Sequence, residues 1–75
     1  MDASRPLDAL GNARGKRVVI ETKNGRQYVG KLMAFDMHIN IALTETEEKQ
    51  DGELKRKLGN VFIRGDTIVL ISPQE

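Results

Sequence analysis

Asn24-Gly25, set between two runs of strand-forming residues, constrains this 75-residue chain more than any other pair. Arg17 to Thr22 is rich in β-branched side chains, which suit a pleated, half-buried surface. Arg26 to Asp36 reads as a second, longer strand. Asparagine and glycine both tolerate positive φ, so the pair predicts a type I′ turn and an antiparallel hairpin. Three more strands follow. Ile39, Ile41 and Leu43 alternate with Asn40, Ala42 and Thr44, Leu54 to Ile63 forms a fourth run, and Thr67 to Ile71 is a short β-branched last one, stopped by Pro73. Between the third and fourth, Thr44 to Glu53 is mostly charged and polar and reads as a solvated turn region or frayed strand end. Arg64-Gly65-Asp66 reads as a tight turn.

The N-terminal segment has a different period. Ser4 to Gly11 predicts a short helix, spanning about residues 5–12. Pro6 suits a first turn, Asp8 complements the helix dipole, Leu7 and Leu10 share a face, and Gly11 is placed to close the end. Two turns do not stand alone, so this helix is expected to lie on the sheet. One helix followed by five strands predicts a mostly β chain, a single domain over residues 1–75. Its strongly bent five-stranded antiparallel sheet would form a small open barrel. Gly30 and Gly59, inside the two longest strands, are the expected bends. An open barrel leaves edge strands unpaired. The last strand is apolar on both faces and uncharged. If it pairs with an edge of another copy, the contact is head-to-tail, and such contacts generate rings when the rotation closes.

Composition narrows the function. A chain of this length buries only about 60% of its unfolded surface. With no cysteine, disulfides and thiolate metal sites are excluded, and one histidine excludes a multi-histidine site within a chain. Oligomerisation is then the economical way to bury more surface. No cofactor is expected. An enzyme reading fails on inventory, since no motif supplies a nucleophile with a positioned base. Twelve basic residues against eleven acidic ones give a net charge of +1, so nucleic acid would have to be held by shaped pockets and local charge rather than bulk attraction. The apolar runs fall short of the roughly 20 residues that span a membrane. The first residues are polar and interrupted by Pro6, unlike a signal peptide, so a soluble cytoplasmic protein is the expectation.

Two segments carry candidate chemistry. Asp36-Met37-His38-Ile39-Asn40 holds the single histidine two residues from an asparagine, and Ile63-Arg64-Gly65-Asp66 adds an arginine at a turn glycine. A ring that stacks, an amide that reads a base edge and a guanidinium that covers the opposite side of the base make an RNA pocket. The Asn40 amide oxygen can accept from uracil N3–H while its NH₂ donates to O4; flipped, it would suit cytosine. Uracil preference therefore requires that Asn40 be held in one orientation, by the backbone or by Asp36. Gly65 is expected to adopt positive φ and aim Arg64 inward, with Asp66 close enough to orient the guanidinium.

These segments resemble the motifs of the Sm-like family, of the archaeal kind, related to eukaryotic Sm and LSm proteins and more distantly to bacterial Hfq. RPLDALGN resembles the helix start of archaeal members, NGRQYVGKLMAFDMHINIAL the first Sm motif (about residues 16–45) and GNVFIRGDTIVLI the second (about 58–72). The resemblance covers Arg5 to Pro73, and no position among the candidates departs from the pattern. It implies a helix-capped, five-stranded bent sheet assembled into a ring, usually a homoheptamer. It also implies binding of uridine-rich single-stranded RNA at the inner rim, as chaperone or scaffold in RNA processing, with RNA-processing proteins as further partners. On matching positions, His38 and Arg64 would sandwich the base, Asn40 would read its edge, and Asp36, Gly65 and Asp66 would hold the pocket in shape. Arg5 and Asn12, near the helix, are candidates for a second, weaker nucleotide site.

Each residue also has an ordinary reading. A lone histidine is more often a surface or core residue than a binding group, Asp36 and Asn40 are common Asx-turn residues, and Arg64 to Asp66 could be a plain turn with a surface ion pair. Their joint occurrence in a five-strand frame outweighs those readings. Lys16-Arg17, Lys23 and Lys55-Arg56-Lys57 read as solvated. Glu45, Glu47, Glu48, Asp51 and Glu53 lack calcium-loop spacing and read as solubilising. Tyr28, Phe35 and Phe62 read as core or interface residues. The competing function is a small-barrel adapter that binds protein partners, with RNA incidental.

Overall fold

Residues 5–74 are described by a computed structural model. Ser4, expected at the start of the helix, lies outside the described residues. The chain runs α1 (Pro6–Gly11), β1 (Arg17–Thr22), β2 (Arg26–Phe35), β3 (Ile41–Gln50), β4 (Glu53–Ile63), a 3₁₀ turn (Gly65–Thr67) and β5 (Ile68–Pro73). The five strands form one sheet in the order β4-β3-β2-β1-β5, with antiparallel neighbours. β4 and β5 are thus the two free edges.

The inner face is built from alternating residues. Val18, Ile20, Leu32, Ile41, Leu43 and Ile63 are buried together with Ala13, just beyond α1. Leu10 packs against this cluster, which is how a helix of six residues is held. Gly11 does not close the helix in a left-handed conformation; α1 passes through Asn12 in right-handed geometry, and positive φ arrives only at Gly15. The strands bend where register shifts interrupt the ladders, between Val29 and Lys31 and between Leu43 and Thr46. Gly30 lies at the first. A Cβ there would meet Thr46 Oγ1 at 2.8 Å and the Thr44 carbonyl oxygen at 2.9 Å, so β3 presses against bare backbone. Gly59 lies opposite Thr46 at the second.

Two turns differ from expectation, in complementary ways. Asn24-Gly25 is not a type I′ turn. Only Gly25 has positive φ, Gly25 N–H donates to the Thr22 carbonyl, and three residues separate β1 from β2. This is a type I turn closed by a left-handed glycine, the common three-residue hairpin loop. The Asn24 side chain accounts for it: its Oδ1 accepts from Thr22 Oγ1 and from Arg26 N–H, fastening both strand ends. The two-residue turn occurs instead at Asp51-Gly52, both at positive φ, between Gln50 and its partner Glu53.

Thr44 to Glu53 is accordingly no frayed loop. β3 continues to Gln50, pairing with both β2 and β4. Its inward positions there are Thr46 and Glu48 rather than apolar residues, which hides the alternation from hydropathy. Glu48 is 1% exposed, so it is structural and not solubilising. Arg56 Nε donates to Oε1 at 2.9 Å, while the Tyr28 hydroxyl at 2.8 Å and Arg26 Nη1 at 3.1 Å donate to Oε2. A buried carboxylate is tolerable only when its lone pairs are taken in this way. The Arg56 bond first, then the Tyr28 and Arg26 bonds, outweigh burial and hold the Glu48 carboxyl down at about 2. Thr46 is the opposite case, a buried hydroxyl without a hydrogen-bond partner among the described residues.

Because the folded Glu48 is more acidic than its ordinary 4.5, its contribution to stability is complete above pH 4.5 and is lost as the pH falls toward 2. Glu48→Ala leaves two guanidinium groups without their acceptor, and is expected to lower the thermal midpoint by on the order of 10 °C at pH 7. In melts recorded from pH 7 to pH 2, the gap between wild type and variant should close below pH 4.5. Thr46→Val, which removes the unpaired hydroxyl at nearly constant volume, is expected to raise the midpoint by about 5 °C in the same melts.

Candidate nucleic-acid interface

Two connections meet at one end of the barrel. Residues 36–40 join β2 to β3, and Arg64 to Thr67 carries the chain from one sheet edge to the other. The far end of that crossing is tied to the end of β1, where Lys23 N–H donates to the Thr67 carbonyl at 2.8 Å. Thr67 also closes the turn, its hydroxyl and N–H both donating to the Arg64 carbonyl at 2.7 and 3.1 Å. Only a general Ser/Thr turn preference could have pointed to Thr67 from sequence.

Asp36 organises the first connection. Its Oδ1 accepts from the backbone N–H of His38 at 2.9 Å and of Asn40 at 3.1 Å, and its Oδ2 accepts from Asn40 Nδ2 at 3.0 Å. The Asn40 side-chain bond first, then the backbone bonds, hold the Asp36 carboxyl below its usual 3.8, so it stays ionised and purely accepting near neutral pH. Ile39 does not continue the β3 alternation. Its φ is +62°, and β3 begins only at Ile41, because the loop must turn within the reach of the Asp36 carboxylate.

The second connection reaches the first through one bond: Gly65 N–H donates to Asn40 Oδ1 at 2.9 Å. Asn40 is thereby gripped from both ends. Flipping its amide would turn the oxygen toward the Asp36 carboxylate and the NH₂ toward the Gly65 N–H, two repulsive contacts in place of two hydrogen bonds. The network thus assigns the orientation. One Nδ2 hydrogen and one Oδ1 lone pair remain free.

Gly65 is needed here for a reason other than the expected one. Its φ is not positive. A Cβ would instead collide with the His38 carbonyl oxygen and lie 2.8 Å from the Ile39 carbonyl carbon. Only glycine lets the two connections approach closely enough for its N–H to reach Asn40. Arg64 leaves the same turn 81% exposed, with Nη2 donating to Asp66 Oδ2 at 3.0 Å, so Asp66 orients the guanidinium.

His38, Asn40, Arg64, Gly65 and Asp66 together line an open cleft of about 470 Å³. Asp36 stands behind it as the support of Asn40. Arg5 and Asn12 are not part of it. They flank α1, about 10 Å apart along its axis at 1.5 Å per residue. Phe62 is almost fully exposed on β4, and Arg56 is bound to Glu48 rather than free.

The model of the LSM domain family matches residues 8–73. The chain belongs to the LSM domain family. It is 46% identical over 70 residues to an snRNP Sm-like protein of Methanococcoides burtonii, a match covering 93% of this chain and 97% of that one. An snRNP Sm-like protein of Archaeoglobus fulgidus is also 46% identical, over 92% of this chain and 90% of its own. Among solved structures, the fold is similar to the Sm protein of Pyrococcus abyssi in complex with a uridine heptamer. That match has a TM-score of 0.91 and 38% identity over 95% of this chain and 100% of that one. It is likewise similar to a heptameric archaeal Sm protein, with a TM-score of 0.85 and 32% identity over 91% and 98% of the two chains. Like those relatives, this LSM chain carries a short N-terminal helix on a bent, open, five-stranded antiparallel sheet. Among its described residues no helix is long and apolar enough to cross a membrane.

Gly65→Ala is expected to break the Asn40 contact and displace the 36–40 loop while leaving the sheet folded. In amide-resolved NMR spectra the largest shifts should fall on residues 36–40, with β1 and β2 unmoved; uniform shifts across the sheet would contradict the assigned role.

Proposed function

We propose that copies of this chain assemble head-to-tail into a ring whose inner rim binds uridine-rich single-stranded RNA, one uracil per cleft. Each base is stacked between the His38 imidazole and the Arg64 guanidinium, a contact worth about 1–3 kcal/mol per base for an aromatic platform. Asn40 reads the base edge. Its free oxygen lone pair accepts from uracil N3–H and its free Nδ2 hydrogen donates to O4. Cytosine presents an acceptor and a donor at those places, so both contacts become repulsive. The observation that carries this reading is the double grip on Asn40, by Asp36 and by the Gly65 N–H. A residue with no recognition task has no need of a fixed amide orientation at an exposed site. The uridine heptamer held by the Pyrococcus abyssi Sm protein and the heptameric assembly of another relative support the same reading.

One cleft binds weakly, but a ring presents identical clefts to a single strand, so later contacts become intramolecular and affinity multiplies. The chain works as a binding module without a reaction of its own, a scaffold or chaperone for U-rich RNA in RNA processing. The adapter alternative gives no reason for the Asp36–Asn40–Gly65 chain of hydrogen bonds.

Fluorescence anisotropy with oligo-U and oligo-C tests the proposal. Wild type should prefer oligo-U. Asp36→Ala, which frees the amide, should reduce the U-over-C ratio by roughly tenfold per site before it abolishes binding. An unchanged ratio would sink this account of specificity. With a net charge of +1, the salt dependence of oligo-U binding should be shallow compared with that of basic RNA binders; a steep slope would point to phosphate contacts instead.

A further inference from the structure

The locked Asn40 amide offers a ligand one donor and one acceptor, side by side. Its Nδ2 gives one hydrogen to Asp36 Oδ2 and keeps the other, and its Oδ1 takes the Gly65 N–H and keeps a lone pair. Uracil meets these two groups with O4 and N3–H. That pair is a lactam, a carbonyl beside a ring N–H, and pyrimidines do not own it. Guanine and hypoxanthine carry the same pair at O6 and N1–H. Cytosine and adenine carry the inverse, an amino group beside a bare ring nitrogen. A fixed amide therefore sorts bases by this edge and is blind to whether one ring or two stand behind it.

Among the described residues, nothing else in the cleft restores a preference for the smaller ring. Its volume of about 470 Å³ falls within the ordinary span of small-molecule sites, about 300–1,000 Å³. The two stacking faces, His38 and Arg64, are both exposed, so a wider ring laid between them extends into solvent rather than against a wall. Between Arg64 and Asp66 stands a glycine, and no side chain at that point narrows the cleft. Stacking itself accepts every base, because every base has a π-face. Selection is left to the hydrogen-bonding edge alone.

We propose that each cleft takes lactam-edged bases as a class, guanine and hypoxanthine as well as uracil, and turns away cytosine and adenine. The inference rests on the reading of the cleft as a uridine site and widens its substrate. The fitting partner becomes a single strand of U and G in any order, rather than an unbroken run of U. A guanine keeps its cleft filled, whereas every cytosine or adenine leaves one cleft without its base. Because later contacts along one strand are intramolecular, each lost contact lowers the affinity of the whole strand.

Inosine and adenosine 5′-monophosphates isolate the edge, since both are purines and differ only at the two positions that meet Asn40. Uridine and cytidine 5′-monophosphates are the matching pyrimidine pair. Each would be titrated into the full chain and followed by NMR. The inosine nucleotide is expected to bind at least about fivefold more tightly than the adenosine one. It should shift the amides of residues 36–40 and 64–66 and be displaced by the uridine nucleotide. Equal binding of the two purines, with uridine still preferred over cytidine, overturns the proposal and leaves the uridine reading intact. Equal binding of uridine and cytidine nucleotides overturns both. An inosine nucleotide that binds without competing against uridine occupies another place, and the proposal fails. In Asp36→Ala, the inosine-to-adenosine and uridine-to-cytidine ratios should shrink together, because one amide sets both. A variant that weakens all four nucleotides alike and keeps both ratios would show that Asn40 is not the reader.

Discussion

The hydrogen bond from the Gly65 N–H to the Asn40 side chain joins two loops that lie 25 residues apart in sequence. The residues of the cleft are arranged around it. On one side, Asp36 gathers the backbone and side chain of its own loop and keeps its charge by accepting those bonds. On the other, the turn that presents the Gly65 N–H also sets the direction of Arg64, which Asp66 then steadies. The bond forms only because residue 65 lacks a side chain, letting the turn rest against the His38 and Ile39 backbone.

The sheet makes that meeting possible. Strands as long as β2, β3 and β4 would leave the two loops apart if they ran straight. Bulges at Gly30 and near Thr46 curl them, so that the connection between the two edges crosses the mouth of the half-barrel beside the 36–40 loop. Glu48 stands in the polar part of the interior and ties β2, β3 and β4 through Tyr28, Arg26 and Arg56. The result is a molecule with an apolar core at the helix end, a buried ion cluster farther along, and two sheet edges without a strand partner among the described residues.

The strain at Ile39 and the grip of Asp36 belong to one pattern. A small chain without disulfides has little core to spend on holding an exposed loop in an unfavourable conformation. Asp36 supplies that hold, through bonds from the His38 and Asn40 N–H groups on either side of Ile39.

Local chemistry in the sequence was enough for the strand-rich architecture, the bends at Gly30 and Gly59, and the cluster of His38, Asn40 and Arg64, because β-branching, alternation and motif order are properties of neighbours along the chain. It was also enough to expect the Asn40 amide to be held in one orientation, as the bonds to Asp36 and from the Gly65 N–H hold it. What only the tertiary structure decided were features that depend on partners far away in sequence. Glu48 looks like one more solvated acid until Tyr28, Arg26 and Arg56 converge on it. The type I′ turn belongs to Asp51-Gly52 rather than Asn24-Gly25, because the Asn24 side chain is occupied with both ends of its own hairpin. Gly65 looks like a residue chosen for positive φ, whereas its role is to make room for the backbone of another loop. Sequence specifies what each residue prefers alone; packing decides which of those preferences is overruled.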